Sequence, residues 1–128
     1  MRYVVLHHTD WPGHEDHYDL MLQIASGQSD DDRVLLTFAT LDDSFPRPGS
    51  VLRRLPDHRR AYLQFEGRLS GERGRVSRVD AGLLRFTLPY APDFSELNVA
   101  LTGLHLRGNY MLQAQGDGTY TMLAMDFA

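Results

Sequence analysis

Short segments in which apolar and polar residues alternate recur along most of the chain, and glycine- or proline-containing turns separate them. Alternation with period two is typical of strands that bury one face, whereas an amphipathic helix needs apolar residues every three or four positions. About eight such segments within 128 residues leave little room for helix. The pattern predicts a mostly β protein, a small closed or nearly closed antiparallel β-barrel of about eight strands with little helix.

Turn residues divide the chain into individual elements. We predict a short helix ending at Leu55, because Pro56 cannot continue it. The run 41–48 contains two prolines and no periodicity, and is predicted to be a loop. The predicted strands are 2–8, 17–25, 33–40, 61–66, two arms of a hairpin turned at Ala81-Gly82, 97–102, 106–114 and 119–125.

Length and composition indicate one domain that spans residues 1–128. The chain has no cysteine, which excludes disulfide scaffolds and zinc fingers. No apolar run has the length of a membrane span, and the start MRYVVLHH lacks the basic region and long apolar core of a signal peptide. We therefore expect a cytoplasmic protein with no membrane partner.

Histidine and aspartate are concentrated near the N-terminus, where four of the six histidines lie within the first seventeen residues. On a strand, His17 and Asp19 point to the same face, because side chains alternate. The preceding strand ends in His7 and His8, so pairing of the two strands would add a second imidazole. Two imidazoles and one carboxylate are a common catalytic set for manganese, zinc or iron. A hydrogen-bonded His–Asp pair without a metal is the alternative.

Arginines are concentrated in the middle of the chain. Residues 47–78 contain nine arginines against three acidic residues, whereas the flanking parts are acidic, and the chain has no lysine. The planar guanidinium matches phosphate oxygens, so this segment predicts a phosphate- or nucleic-acid-binding face. A coding bias towards arginine would produce the same composition without such a face.

A second pair of candidate residues, His58 and Tyr62, lies inside the arginine-rich segment. A histidine beside a phenol can hydrogen-bond a phosphate oxygen or transfer a proton to a leaving alkoxide. The alternative is a structural histidine that caps a turn.

Three motifs, in order along the chain, resemble one known family. HYDLMLQ (17–23) is similar to the His-Tyr-Asp-Phe-Arg-Leu-Glu motif of the 3'-phosphoesterase domain of bacterial DNA ligase D. PDHRRAYLQFEG (56–67) resembles the family's Asp-His-Pro stretch that leads to Tyr and Phe-Glu-Gly. LNVALTGLHLRGNYMLQ (97–113) is similar to its closing Phe-x-Leu-x-Gly-x-Leu-x-Gly run.

This resemblance implies a small β-barrel that binds a divalent metal, typically Mn²⁺, with Zn²⁺ as the alternative. It implies trimming of 3'-phosphates or 3'-ribonucleotides from nucleic-acid 3' ends in DNA end repair, beside a ligase or polymerase partner. Carried over onto this sequence, the metal ligands are His8, His17 and Asp19. The family's further active-site histidine and tyrosine fall on His58 and Tyr62.

The chain departs from the family at several positions. The phosphate-contacting arginine of the second motif is Met21 here, and the linker before His17 is longer, so His7, His8 and His14 compete as the first ligand. The predicted function is a metal-dependent 3'-phosphoesterase, and the alternative is a non-catalytic, metal-containing barrel that binds nucleic acid or a protein partner. The predicted replacements for the missing arginine are Arg53, Arg54, Arg59 and Arg60.

Overall fold

The computed structural model describes residues 1–47 and 49–125, within which the regular structure is nine strands and one 3₁₀ helix. The 3₁₀ helix spans Arg60–Leu63. The strands are β1 (Arg2–Thr9), β2 (His17–Gln23), β3 (Leu35–Thr40), β4 (Val51–His58), β5 (Gly67–Arg68), β6 (Arg75–Phe86), β7 (Glu96–Thr102), β8 (Arg107–Ala114) and β9 (Thr119–Met125).

All strand pairings are antiparallel, in the order β1-β2-β3-β4-β9-β8-β7-β6-β5. β6 also pairs with β1, which closes eight strands into a barrel and leaves β5 as an extra strand beside β6. The predicted mostly β fold and closed barrel are confirmed. Across the described ranges, no helix has the length and apolar character that spanning a bilayer would require.

Two predicted elements around the arginine-rich segment were wrong. The helix predicted up to Leu55 is instead strand β4, which pairs with β3 on one side and with β9 on the other. The hydrogen bonds of these two ladders satisfy the backbone N–H and C=O groups of the segment, although its local sequence is also compatible with a helix. The strand predicted at 61–66 is largely the 3₁₀ helix, which buries the consecutive residues Tyr62 and Leu63 against one surface. A strand would have pointed them to opposite faces.

The hairpin predicted at Ala81-Gly82 was also wrong, because 75–86 is a single strand that continues through these residues. Gly82 is required there for close approach: a Cβ on it would lie 2.0 Å from the carbonyl oxygen of Thr102. The remaining predicted strands are present, with bounds that differ by two residues at most. The predicted loop has no strand or helix at 41–47, and Pro48 lies outside the described residues.

Two apolar cores lie on the two sides of the barrel wall. The main core fills the interior with side chains from all eight wall strands, including Tyr3, Leu20 and Phe38. The second core lies on the outer face of β1 and β2, where Leu6 and Met21 are packed beneath the 3₁₀ helix. Alternation along each strand therefore gives β1 and β2 two buried faces. The outer one carries the candidate site.

One buried carboxylate holds the end of the barrel where β6 meets the loop after β7. Asp80 is only 2% exposed, and it accepts hydrogen bonds from the Tyr3 hydroxyl at 2.7 Å and from the backbone N–H groups of Leu104, His105 and Leu106 at 2.7–3.2 Å. Burial alone would raise the pKa of Asp80, but these hydrogen bonds hold it below its ordinary value. The same burial and the Asp80 contact raise the pKa of Tyr3.

Candidate metal centre

The pairing of β1 with β2 brings three predicted ligands together on the outer face of the barrel. The register sets His8 opposite His17 and Leu6 opposite Asp19. One side-chain nitrogen or oxygen from each of His8, His17 and Asp19 lies within 4.8 Å of the others. We call these three residues the metal triad.

Of the three histidines that compete for the first ligand position, the structure places His8 in this cluster. His7 points to the opposite face of β1, where its ring stacks on Tyr18 at a centroid distance of 4.3 Å. His14 lies in the β1–β2 loop, and its ring stacks on Trp11 at 3.7 Å. The Trp11 ring also stacks on His8, at a centroid distance of 5.0 Å.

Backbone carbonyls fix the orientation of both triad imidazoles. His8 Nε2–H donates to the carbonyl oxygen of Arg73 at 2.6 Å, which leaves Nδ1 at 3.8 Å from Asp19 Oδ2. His17 Nδ1–H donates to the carbonyl oxygen of Glu15 at 3.1 Å, which leaves Nε2 at 3.4 Å from Asp19 Oδ1. In a neutral ring, each of these bonds selects the tautomer whose other nitrogen directs its lone pair at the carboxylate.

Asp19 is buried without the partners that such a group requires. It is 3% exposed, and its Oδ1 has no hydrogen-bond partner in the described part of the chain. Leaving a buried acceptor unsatisfied costs ~1–3 kcal/mol, and more when it is charged. The lone pairs of two nitrogens and a carboxylate converge here, and a cation between them would remove this repulsion.

The donor set and its spacing fit a divalent ion. Bonds of ~2.0–2.2 Å to one ion place neighbouring ligand atoms roughly 3–4 Å apart. The two His–Asp separations are 3.4 and 3.8 Å, and all three ligand atoms lie within 4.8 Å of one another. The Asp19 carboxylate also raises the pKa of His17, although burial opposes this shift. The Asp19 carboxylate therefore stabilises a positive charge at this position, whether a proton on His17 or a metal ion carries it.

A cleft of about 300 Å³ opens beside the metal triad and is lined on its other side by His58 and Tyr62. The two rings meet edge to face at a centroid distance of 5.6 Å. His58 Nδ1–H donates to the carbonyl oxygen of Pro56 at 2.8 Å, so Nε2 remains available to a ligand. The structure thus brings both predicted catalytic residues to the same cleft as the triad.

Two arginines that sequence reasoning missed line this cleft, Arg33 and Arg73. Arg33 Nη1 donates to the carbonyl oxygen of Asp57 at 3.0 Å, and Arg73 Nε donates to that of Ser70 at 2.8 Å. The glycines that flank Glu72 and Arg73 marked a tight turn, which was a usable signal for Arg73. No feature of the sequence around Arg33 indicates this position.

The four predicted phosphate-binding arginines lie outside this cleft. Arg53 and Arg59 line separate grooves that adjoin it. Arg54 lies over the ring of Phe94 at 4.9 Å and beside Asp57, and Arg60 pairs with Asp30 at 3.3 Å. Arg54 and Arg60 are therefore used in contacts within the protein.

Met21 forms part of the floor of the cleft and is 1% exposed. It belongs to the outer core, so β2 presents an apolar side chain at the position where the resemblance leads us to expect an arginine. The guanidinium groups of this cleft come instead from the segments before β3 and before β6.

No model of a known protein family matches this chain, and no curated protein is significantly similar to it.

Proposed function

We propose that this protein is a divalent-metal-dependent phosphoesterase that acts on nucleic-acid 3' ends, removing a 3'-phosphate or a 3'-ribonucleotide during DNA end repair. The observation that carries the proposal is the buried Asp19 carboxylate, whose Oδ1 has no hydrogen-bond partner in the described residues and which faces His8 Nδ1 and His17 Nε2, the ring nitrogens that do not bond to backbone carbonyls. The resemblance of the three sequence motifs to the 3'-phosphoesterase family supports the choice of substrate.

The residues that would hold the ion are His8 through Nδ1, His17 through Nε2 and Asp19 through its carboxylate. Imidazole and carboxylate donors suit Mn²⁺ and Zn²⁺, and the family resemblance favours Mn²⁺. Such an ion, when bound, polarises a phosphoryl oxygen and lowers the pKa of a bound water.

The other side chains of the cleft have separate roles in this proposal. Arg33 and Arg73 bind the phosphate oxygens, because guanidinium groups form charge-assisted hydrogen bonds to them. His58 presents Nε2 to the leaving oxygen and, when protonated, donates a proton there. The Tyr62 hydroxyl donates a hydrogen bond to a non-bridging oxygen.

The rival function is a non-catalytic, metal-containing barrel that binds nucleic acid or a protein partner. The observation in its favour is Met21, an apolar residue in the floor of the cleft. The proposed enzyme would act in the cytoplasm beside a DNA-repair ligase or polymerase.

The test is release of phosphate or ribonucleoside from 3'-phosphate and 3'-ribonucleotide primer–templates by the manganese-loaded protein. We expect manganese-dependent release that His17→Ala abolishes. His105→Ala is the matched control, since His105 is exposed in the loop after β7 and should leave release unchanged. A fully manganese-loaded protein that releases nothing would favour the rival function.

A further inference from the structure

A second groove continues from the metal cleft across the 3₁₀ helix towards β5. Its volume is about 290 Å³, and it shares Tyr62, Leu69 and Arg73 with the cleft. The groove therefore adjoins the cleft, and these three residues border both cavities. The residues that line this groove but not the cleft are Arg59, Ala61, Phe65, Arg68 and Ser70, and we call it the Arg–Phe groove.

The charge of the Arg–Phe groove is uniformly positive. Arg59, Arg68 and Arg73 line it, and no acidic side chain does so in the described part of the chain. Arg68 is exposed and has no ion pair within the same ranges. The nearest acid to Arg59 is Asp31, at 3.8 Å and highly exposed, and such a pair is weak in solvent.

A third groove, which shares Trp11 and His17 with the cleft, lacks this positive charge. The charged side chains that line it are Arg53 and Glu15. Its net charge is therefore near zero, whereas three positive charges line the Arg–Phe groove. An anionic chain that has one end in the cleft is thus drawn towards the Arg–Phe groove.

An exposed aromatic ring lies among these arginines. Phe65 is 38% exposed, and its ring meets Tyr62 edge to face at a centroid distance of 6.4 Å. Arg59 lies over the Tyr62 ring at 5.8 Å. A phenyl face flanked by guanidinium groups is the combination that holds single-stranded nucleic acid, through base stacking and phosphate contacts. A small phosphoester would need the cleft alone, and an acidic peptide would not need the phenyl ring.

We propose that the Arg–Phe groove binds the single-stranded nucleotide chain that leads into the cleft. A base stacks on Phe65, and neighbouring phosphates contact Arg68 and Arg59. Arg73 joins the two sites, because its guanidinium lines both cavities while its carbonyl oxygen orients His8. The substrate is accordingly a chain of several nucleotides and not a small phosphoester. This inference rests on the proposed function for the identity of the cleft, but chain binding itself requires no catalysis.

Binding is tested on protein kept metal-free with a chelator, so that no turnover occurs. Fluorescence anisotropy of 5'-labelled single-stranded octanucleotides is measured over a range of salt concentrations. We expect Phe65→Ala to weaken binding roughly 5- to 100-fold, as for the loss of one stacked base. Arg68→Ala should reduce the slope of log affinity against log salt by about 0.7. Arg85→Ala, at an exposed arginine near the far end of β6, is the matched control and should change neither quantity.

The outcomes separate the groove from the catalytic proposal. Loss of octanucleotide binding in Phe65→Ala and Arg68→Ala supports the groove even if the manganese-loaded wild type releases nothing, which would refute only the catalytic function. If Phe65→Ala and Arg68→Ala bind the octanucleotide as tightly as Arg85→Ala does, the groove proposal is refuted, even if release from 3' ends is observed. A polyglutamate peptide that binds as tightly as the octanucleotide, with no loss in Phe65→Ala, would also overturn it and indicate an acidic protein partner.

Discussion

Replacing Asp19 with asparagine should stabilise the metal-free protein and abolish its stabilisation by metal. The carboxylate is buried, its Oδ1 has no hydrogen-bond partner in the described residues, and it faces His8 Nδ1 and His17 Nε2. Asparagine keeps the shape, removes the charge and, with its NH2 group in the place of Oδ1, donates an N–H to His17 Nε2. Removing one unsatisfied buried oxygen should raise the free energy of unfolding by ~1–3 kcal/mol.

Mn²⁺ should stabilise the wild type but not Asp19→Asn. Free Mn²⁺ at roughly 100 times the dissociation constant stabilises the wild type by ~2.7 kcal/mol. For a domain of 128 residues, each kcal/mol corresponds to about 4 °C in Tm, so we expect a rise of about 10 °C. Asp19→Asn, which lacks the charged ligand, should show little or no rise.

The assay is thermal unfolding with and without Mn²⁺, at an alkaline pH where the imidazoles are neutral. Asp80→Asn is the matched control, because Asp80 is equally buried but accepts hydrogen bonds from Tyr3 and from three backbone N–H groups. The free energy of unfolding of Asp80→Asn should be about 2–4 kcal/mol lower than that of the wild type, and its Tm should still rise with Mn²⁺.

The reasoning would be refuted if Asp19→Asn destabilised the metal-free protein as strongly as Asp80→Asn does. A full rise of Tm with Mn²⁺ in Asp19→Asn would refute it equally. Either result would make Asp19 a structural carboxylate whose partners lie within the protein.

Three further predictions concern other parts of the molecule. His58→Ala should lower turnover on 3'-end substrates by roughly two to four powers of ten while the Tm rise with Mn²⁺ is retained, and loss of that rise would show that His58 is a ligand. Gly74→Ala should cost at least about 2 kcal/mol in chemical denaturation, because its Cβ would lie 2.1 Å from the carbonyl oxygen of Thr9 and its φ is +81°; an unchanged midpoint would contradict this packing. Hydrogen bonds from Ser44 and Ser50 lower the pKa of Asp42 from 3.8 to about 2, so its contribution is complete above pH 3.8 and lost as the pH falls through 2. The stability difference between wild type and Asp42→Asn should therefore disappear between these pH values, and a difference that persists below pH 2 would contradict the assignment.

Strand alternation predicted the barrel and placed His17 and Asp19 on one face, because both features are local. The choice between His7 and His8 was beyond the sequence, since adjacent residues occupy both faces of β1 and only the register with β2 decides which one meets His17. That register depends on how the loop between the two strands folds.

Tertiary contacts account for what the sequence did not predict. The helix expected before Pro56 is a strand, because β3 and β9 offer ladders on both its sides. Arg33 and Arg73 are 40 positions apart and meet only where the segments before β3 and β6 lie against the outer face. Arginine counts marked the segment 47–78, which contains Arg73 but not Arg33. They could not distinguish Arg73 from Arg54 and Arg60, which contact Phe94 and Asp30.

The most direct test of the metal centre is anomalous diffraction from crystals soaked in Mn²⁺. The account predicts one manganese peak about 2.0–2.3 Å from His8 Nδ1, His17 Nε2 and an oxygen of Asp19. The absence of a peak between these three atoms, or a peak held by His14 or by surface carboxylates alone, would contradict it.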